Sequence, residues 1–137
     1  VVLDTLLPKQ EQFSFVDLGS GCGGLLNNLA KVHKNGLFYG IESAPLPLLI
    51  SKLRSLPNHG SCQIFWGSFW EYDLSQYDVV YAYLSPIPME SLWRKVSKEM
   101  RPGSLLISNT FLIPGVTPHK SIQLNDFSNS TLYLWKI

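Results

Sequence analysis

The sequence predicts an α/β fold: a mostly parallel sheet with helices on both faces, closed by a C-terminal antiparallel hairpin. Three observations carry that reading. Short apolar runs alternate with helical apolar spacing from residue 13 to residue 109. Turn residues separate the runs, as at Asn35-Gly36, Pro57 to Gly60 and Arg101-Pro102-Gly103. Beyond the fifth run no clear helix follows, and two β-rich segments flank a polar stretch holding Asn125, Asp126, Ser128 and Asn129.

Each element has its own signal. Val1 to Leu7 reads as the end of a helix closed by Pro8. Phe13 to Leu18 is a strand of β-formers. Gly24 to Lys34 carries Leu25, Leu26, Leu29, Ala30 and His33 at helical spacing, with Asn35-Gly36 as its C-cap. Leu37 to Glu42 is the second strand. Pro45 and Pro47 suit the first turn of a helix that runs through Leu49, Ile50, Leu53 and Leu56. Cys62 to Trp66 is the third strand, and Tyr77 to Tyr83 the fourth. Met89 to Met100 sets Leu92, Trp93, Val96 and Met100 on one helical face. Ser104 to Asn109 is the fifth strand. Ser121 to Leu124 and Thr131 to Ile137 form the hairpin, and Ile113 to Lys120 has room for a short helix.

Composition excludes several classes. At 45% hydrophobic and a formal net charge of +1, the chain is the reverse of a disordered one. Its 137 residues fit one domain, 1–137. No run approaches the roughly 20 apolar residues of a membrane helix. Eleven Lys plus Arg against ten Asp plus Glu leave no excess for a phosphate backbone, so a nucleic-acid partner is disfavoured. Cys22 and Cys62 form neither a disulfide framework nor a metal-ligand spacing, and no metal is expected. They suit a reducing compartment, and the expected location is cytoplasmic. The chain opens at Val1 rather than Met, which leaves room for a preceding segment, a membrane anchor included.

Chemistry concentrates in residues 16–24, VDLGSGCGG, between the first strand and the first helix. Gly19 and Gly21 allow a sharp turn and a close ligand, and Gly23 lets the helix pack near the strand. Ser20 completes the turn. The amides of such a loop and of the helix N-terminus face a polar or anionic group. Asp17 lies beside the turn, either ordering loop amides or meeting a cation. Glu42 closes the second strand 25 residues later, where an acid takes both hydroxyls of a ribose. Ser43 follows it in the same region. Loop and acid together fit an adenosine ligand, either a nicotinamide dinucleotide or S-adenosylmethionine.

The dinucleotide fingerprint is G-x-G-x-x-G, spaced to seat a pyrophosphate. Here an acid stands two positions before the first glycine, and Asp17, Gly19, Gly21 and Gly23 match D-x-G-x-G-x-G. That pattern resembles motif I of the class I S-adenosylmethionine-dependent methyltransferases. Gly40-Ile41-Glu42 is similar to the family's ribose-binding acid, and Gly67-Ser68-Phe69-Trp70 to its adenine contact. Tyr77-Asp78-Val79-Val80 resembles its fourth strand, and Met100-Arg101-Pro102-Gly103-Ser104 its turn before strand five. Gly67 to Trp70, Ala82-Tyr83-Leu84-Ser85-Pro86 and Phe111-Leu112-Ile113-Pro114-Gly115 look most like bacterial relatives of the ATP synthase c-subunit lysine methyltransferase family. Ser68 departs from that family, which usually has Asp there, and Cys22 stands where Asp is common.

The resemblance implies a Rossmann-like class I methyltransferase fold with seven strands and S-adenosyl-L-methionine as cofactor. It implies Asp17, Gly19, Ser20, Gly21, Gly23, Glu42, Ser43, Ser68, Phe69 and Trp70 as cofactor contacts. Tyr83, Leu84, Ser85 and Pro86 become candidates for the rim of methyl transfer, with a protein lysine amine as the expected acceptor. A small-molecule or nucleic-acid acceptor, or a binding module without catalysis, are the alternatives. The bland readings are core packing for Phe69, Trp70, Trp66, Trp93 and Trp135, and bystander roles for His33, His59 and His119. Cys22 reads as a small loop residue.

Overall fold

A computed structural model describes residues 6–9, 11–21, 23–55, 57, 61–124 and 130–137. The predicted opening helix falls almost wholly outside the described residues, as do Cys22, Leu56, His59 and the polar stretch 125–129. The chain divides into two compact units, Val1–Tyr72 and Asp73–Ile137.

The first unit holds three parallel strands in the order β3-β2-β1: β1 Phe13–Leu18, β2 Gly36–Glu42 and β3 Cys62–Trp66. Helices α1 (Gly24–Val32) and α2 (Pro45–Ser55) make the crossovers between them. Right-handed crossovers between neighbouring parallel strands put both helices on one face. Parallel strands covered this way read as continuous apolar runs, and Phe15, Val16, Leu18, Phe38 and Ile41 are accordingly buried. Phe13 and Phe15 meet Phe38 at ring-centroid distances of 5.6 and 5.5 Å. Burying each such side chain contributes about 1.5–3 kcal/mol.

Helix α1 follows its sequence signal, with Leu26, Leu29 and Ala30 inward. It ends earlier than expected: His33 is the C-cap, its N–H donating to the Leu29 carbonyl at 2.8 Å. Gly36 opens β2 instead of capping. The Asn35 amide donates to the Pro8 and Glu11 carbonyls at 2.9 and 2.6 Å, so it fastens the segment before β1. Helix α2 inverts its expected pattern. Ser51 and Ser55 are buried, while Leu49 and Leu53 are exposed. Trp66, expected in the core, is exposed as well. It ends β3, which has a neighbour on one side only within this unit.

The second unit orders its strands β4-β5-β7-β6. Strands β4 (Val79–Ala82) and β5 (Leu105–Asn109) are parallel and joined through helix α3 (Met89–Glu99). Strand β7 (Thr131–Lys136) runs antiparallel to β5 and to β6 (Lys120–Gln123). Strand β4 is shorter than predicted, because Tyr77 and Tyr83 lie outside the ladder. Residues 110–119 hold no helix; Pro114 and Gly115 make a turn, with the Val116 N–H donating to the Ile113 carbonyl at 3.2 Å. Helix α3 buries Met89, Leu92 and Val96. Its Glu99 takes Lys95 at 2.8 Å and the Leu74 N–H at 2.9 Å. Trp135 is core as expected, fully buried, with its indole N–H on the Val116 carbonyl at 3.2 Å.

Candidate functional site

The glycine loop is fastened to β2 on one side and to α2 on the other. Gly19 and Ser20 both donate N–H to the Ile41 carbonyl, at 2.9 and 3.1 Å, which ties the turn to β2. The Gly23 N–H closes the turn on the Ser20 carbonyl at 3.0 Å. From α2, the buried Ser51 hydroxyl donates to the Gly21 carbonyl. Ser51 escaped the sequence reading; its signal was a small polar residue directly after the apolar run Leu48 to Ile50.

Two glycines make this packing possible. Gly23, the N-cap of α1, sits at φ 77°, and a Cβ there would lie 3.3 Å from Ser51. It therefore serves contact with α2 rather than with the strand. Gly40 in β2 is the second. A Cβ there would lie 2.7 Å from the Ser20 side chain and from Leu26 Cδ1, so the loop folds down onto bare backbone.

The β1–β2 register sets Asp17 opposite Gly40. Side chains alternate along a strand, so Asp17, Gly40 and Glu42 share one face. Asp17 is buried and Glu42 half-buried. Burial first, and the Glu42 carboxylate second, push Asp17 up from the ordinary 3.8 to about 7. A carboxyl poised there gives up its proton to solvent readily when a cation arrives beside it. Glu42 takes the Ser43 N–H at 3.2 Å, which aims its carboxylate along the start of the β2–α2 turn.

Beyond β3, the Gly67 N–H donates to the Glu42 carbonyl at 3.0 Å, which holds the next loop beside the acid. Ser68 caps a single 3₁₀ turn, Phe69–Glu71, its hydroxyl accepting from the Trp70 N–H at 3.4 Å. The Phe69 and Trp70 rings meet at 4.4 Å. Neither is buried, so the core reading fails for both and leaves aromatic faces at the surface.

In the second unit, Tyr83, Ser85 and Pro86 are exposed and Leu84 half-buried, in the turn after β4. The Pro86 carbonyl accepts the Met89 N–H at 3.3 Å as α3 begins. Beside this turn lies a polar cluster that the sequence reading missed. The Asn109 amide donates to the Tyr81 hydroxyl at 3.1 Å, and the Thr110 hydroxyl donates to Asn109 Oδ1 at 2.8 Å. Thr110 holds φ 75°, uncommon for a non-glycine residue, and its N–H donates to the Thr131 carbonyl at 2.7 Å. The remaining cysteine, Cys62, is buried, which pushes its thiol up to about 11 and leaves it unreactive. His119 Nδ1 accepts the Lys136 N–H at 3.1 Å, a structural role.

The cradle fits a nucleoside cofactor with a cationic end. The Ser20 hydroxyl is buried without a partner among the described residues, which a ligand atom would satisfy. Helix α1 has no side-chain N-cap and no acid in its first turn, which leaves its first amides to a ligand. Asp17 and Glu42 are the acids that a cationic end and ribose hydroxyls would meet there.

Fold and site together define an S-adenosylmethionine-dependent methyltransferase of class I. Residues 17–120 match the ANTKMT methyltransferase domain, and the chain belongs to that family. A protein-lysine N-methyltransferase from Saccharolobus islandicus (strain REY15A) is 31% identical over 124 residues, covering 88% of this chain and 77% of that protein. An RNA methyltransferase from Salinibacter ruber, crystallised with S-adenosyl-L-homocysteine, superposes with a TM-score of 0.83 at 25% identity, over 91% of this chain and 80% of that one. A tRNA methyltransferase from B. subtilis shares the fold, with a TM-score of 0.79 at 10% identity over 98% of this chain and 63% of its own. The seven strands are thus those of the Rossmann-like class I sheet with its C-terminal antiparallel hairpin.

Proposed function

We propose that this enzyme methylates a lysine ε-amine of a protein substrate in the cytoplasm, the two units acting as one methyltransferase domain. The observation that carries the reading is the 31% identity, over 88% of this chain, to a protein named as a protein-lysine N-methyltransferase. The balanced charge agrees with a protein acceptor better than with a phosphate backbone. The relation to an RNA methyltransferase at 25% identity supports RNA as the second reading. Among the described residues no helix is long and apolar enough to cross a membrane.

In this reading Asp17, Gly19, Ser20, Gly21, Gly23, Glu42, Ser43, Ser68, Phe69 and Trp70 hold S-adenosylmethionine. The cofactor supplies an electrophilic methyl on a sulfonium. Glu42 takes the ribose hydroxyls, and Asp17 takes the positive end. The loop amides and the Ser20 hydroxyl hold the remaining polar atoms. Ser68 offers a hydroxyl, so the adenine edge is held by a neutral partner. Phe69 and Trp70 give it an aromatic face.

Tyr83, Leu84, Ser85 and Pro86 form the acceptor rim. The lysine must arrive neutral, because an ammonium has no lone pair. Hydroxyls and carbonyls of the rim accept its hydrogens and aim the nitrogen for in-line displacement. The rim thereby excludes water, and no fixed catalytic base is needed.

The test is transfer of radiolabelled methyl from S-adenosylmethionine into a cell lysate, with nuclease-treated and protease-treated arms. Label in protease-sensitive bands, recovered as methyllysine by mass spectrometry, supports the reading. Nuclease-sensitive label supports RNA instead, and absence of label in both arms ends both readings.

A further inference from the structure

The outer surface of the α1–α2 layer is built the wrong way round for a water-facing surface. Along α2, Leu46, Leu49 and Leu53 recur at i, i+3 and i+7, which sets them in one stripe. They are 66%, 57% and 59% exposed. Ser51 and Ser55 occupy the opposite side of the helix and are buried, so these serines point in and the three leucines out. Val32, at the end of the neighbouring helix α1, is 63% exposed. Trp66 ends β3 opposite Glu42, on the same sheet face as Gly40, the face against which Leu26 of α1 packs. Its exposed indole adds an aromatic edge to this side.

Charge on this layer has one sign. Residues 18–70 contain four Lys or Arg, namely Lys31, Lys34, Lys52 and Arg54, and a single Asp or Glu, Glu42 in the cradle. Lys52 and Arg54 flank the leucine stripe on its two sides, and Lys31 and Lys34 stand at the end of α1 beside Val32. All four are exposed. Arg54 reaches towards α1, its Nη1 lying 3.4 Å from the Cβ position of Gly24. Exposed leucines bordered by cations, with no acid among them, match a helix that lies in a bilayer interface. A docking face for a second protein would answer these cations only through acids placed at matching points on the partner, or leave them in water at its rim. An anionic lipid surface answers them all without specific geometry, while its acyl boundary receives the leucines.

We propose that the α1–α2 face is a peripheral docking surface for an anionic lipid bilayer. It stands apart from the choice of methyl acceptor, because none of these side chains belongs to the cradle or to the rim. The charge term makes docking salt-sensitive. The leucine term makes it depend on apolar area and leaves neutral vesicles a weak substitute.

The experiment is co-sedimentation of the full chain with vesicles of equal parts phosphatidylcholine and phosphatidylglycerol, against pure phosphatidylcholine, at low and high salt. Wild type should pellet with the anionic vesicles at low salt and remain largely in solution with neutral ones. The double variant Lys52→Ala/Arg54→Ala should lower the partition roughly 25-fold. The variant Leu49→Ser/Leu53→Ser should lower it about tenfold or more. All four side chains are exposed, so circular dichroism should show an unchanged fold; the wild-type dependence on lipid charge and salt decides the matter without any variant. Failure to bind anionic vesicles overturns the proposal, and so does equal binding to neutral ones. A wild-type dimer that the leucine variant dissolves, without vesicle binding, assigns the face to a second copy and overturns it too.

Discussion

Replacing Asp17 by Asn should reshape the pH dependence of stability of the cofactor-free protein. Asp17 is buried, and its carboxyl is pushed from 3.8 to about 7, by burial and then by Glu42. Below pH 3.8 the group is protonated in both the folded and the unfolded chain and costs nothing. Between 3.8 and 7 the unfolded chain releases the proton and the folded one retains it, so stability falls as pH rises. Above 7 the loss is complete. A separation of about three pH units corresponds to about 4 kcal/mol at 1.36 kcal/mol per unit. An Asn cannot ionise, so the variant should escape this loss. Urea unfolding at pH 5 and at pH 8.5 measures it, with wild type and variant compared at each pH. The Asp17→Asn advantage should grow by up to about 3 kcal/mol across that interval, the part of the loss that lies above pH 5. Stability curves that run parallel between the two pH values would refute the reasoning, because they would show that Asp17 titrates alike in both states. With S-adenosylmethionine present the order should reverse. Its positive end favours the carboxylate, so wild-type binding should strengthen as pH rises through 7, and Asp17→Asn binding should be weaker and flat.

Other consequences follow from the same geometry. Glu42→Ala should weaken S-adenosylmethionine binding about 100-fold or more by calorimetry, since two hydrogen bonds to a charged group are lost. Gly40→Ala should destabilise the fold by about 1–3 kcal/mol and loosen cofactor binding, because a Cβ 2.7 Å from Ser20 must push the loop away; thermal unfolding and calorimetry read the two effects. Trp135→Ala should cost about 3–5 kcal/mol in urea unfolding, as a fully buried indole and its bond to Val116 disappear. Tyr83→Ala should reduce methyl transfer while leaving the cofactor dissociation constant within about twofold, which separates the rim from the cradle.

The alternation of apolar runs and helical spacing was enough to determine the α/β class, the five leading strands and the closing hairpin. Period is a local property, and burial on both faces makes a parallel strand such as Phe13–Leu18 or Val79–Ala82 apolar throughout. The motif at 17–23 and Glu42 were legible for the same reason: a sharp turn after a strand demands particular residues in a short span. Tertiary structure alone decided what depends on distant neighbours. Nothing local announces that Gly40 must be bare because Ser20 lies on it, or that Ser51 reaches 30 residues back to Gly21. The shift of Asp17 to about 7 arises from enclosure and from a carboxylate on another strand. The outward turn of Leu46, Leu49 and Leu53 was likewise hidden. Spacing shows that a helix has an apolar stripe, but only its packing against β2 and β3, with serines seated inward, shows which way that stripe faces.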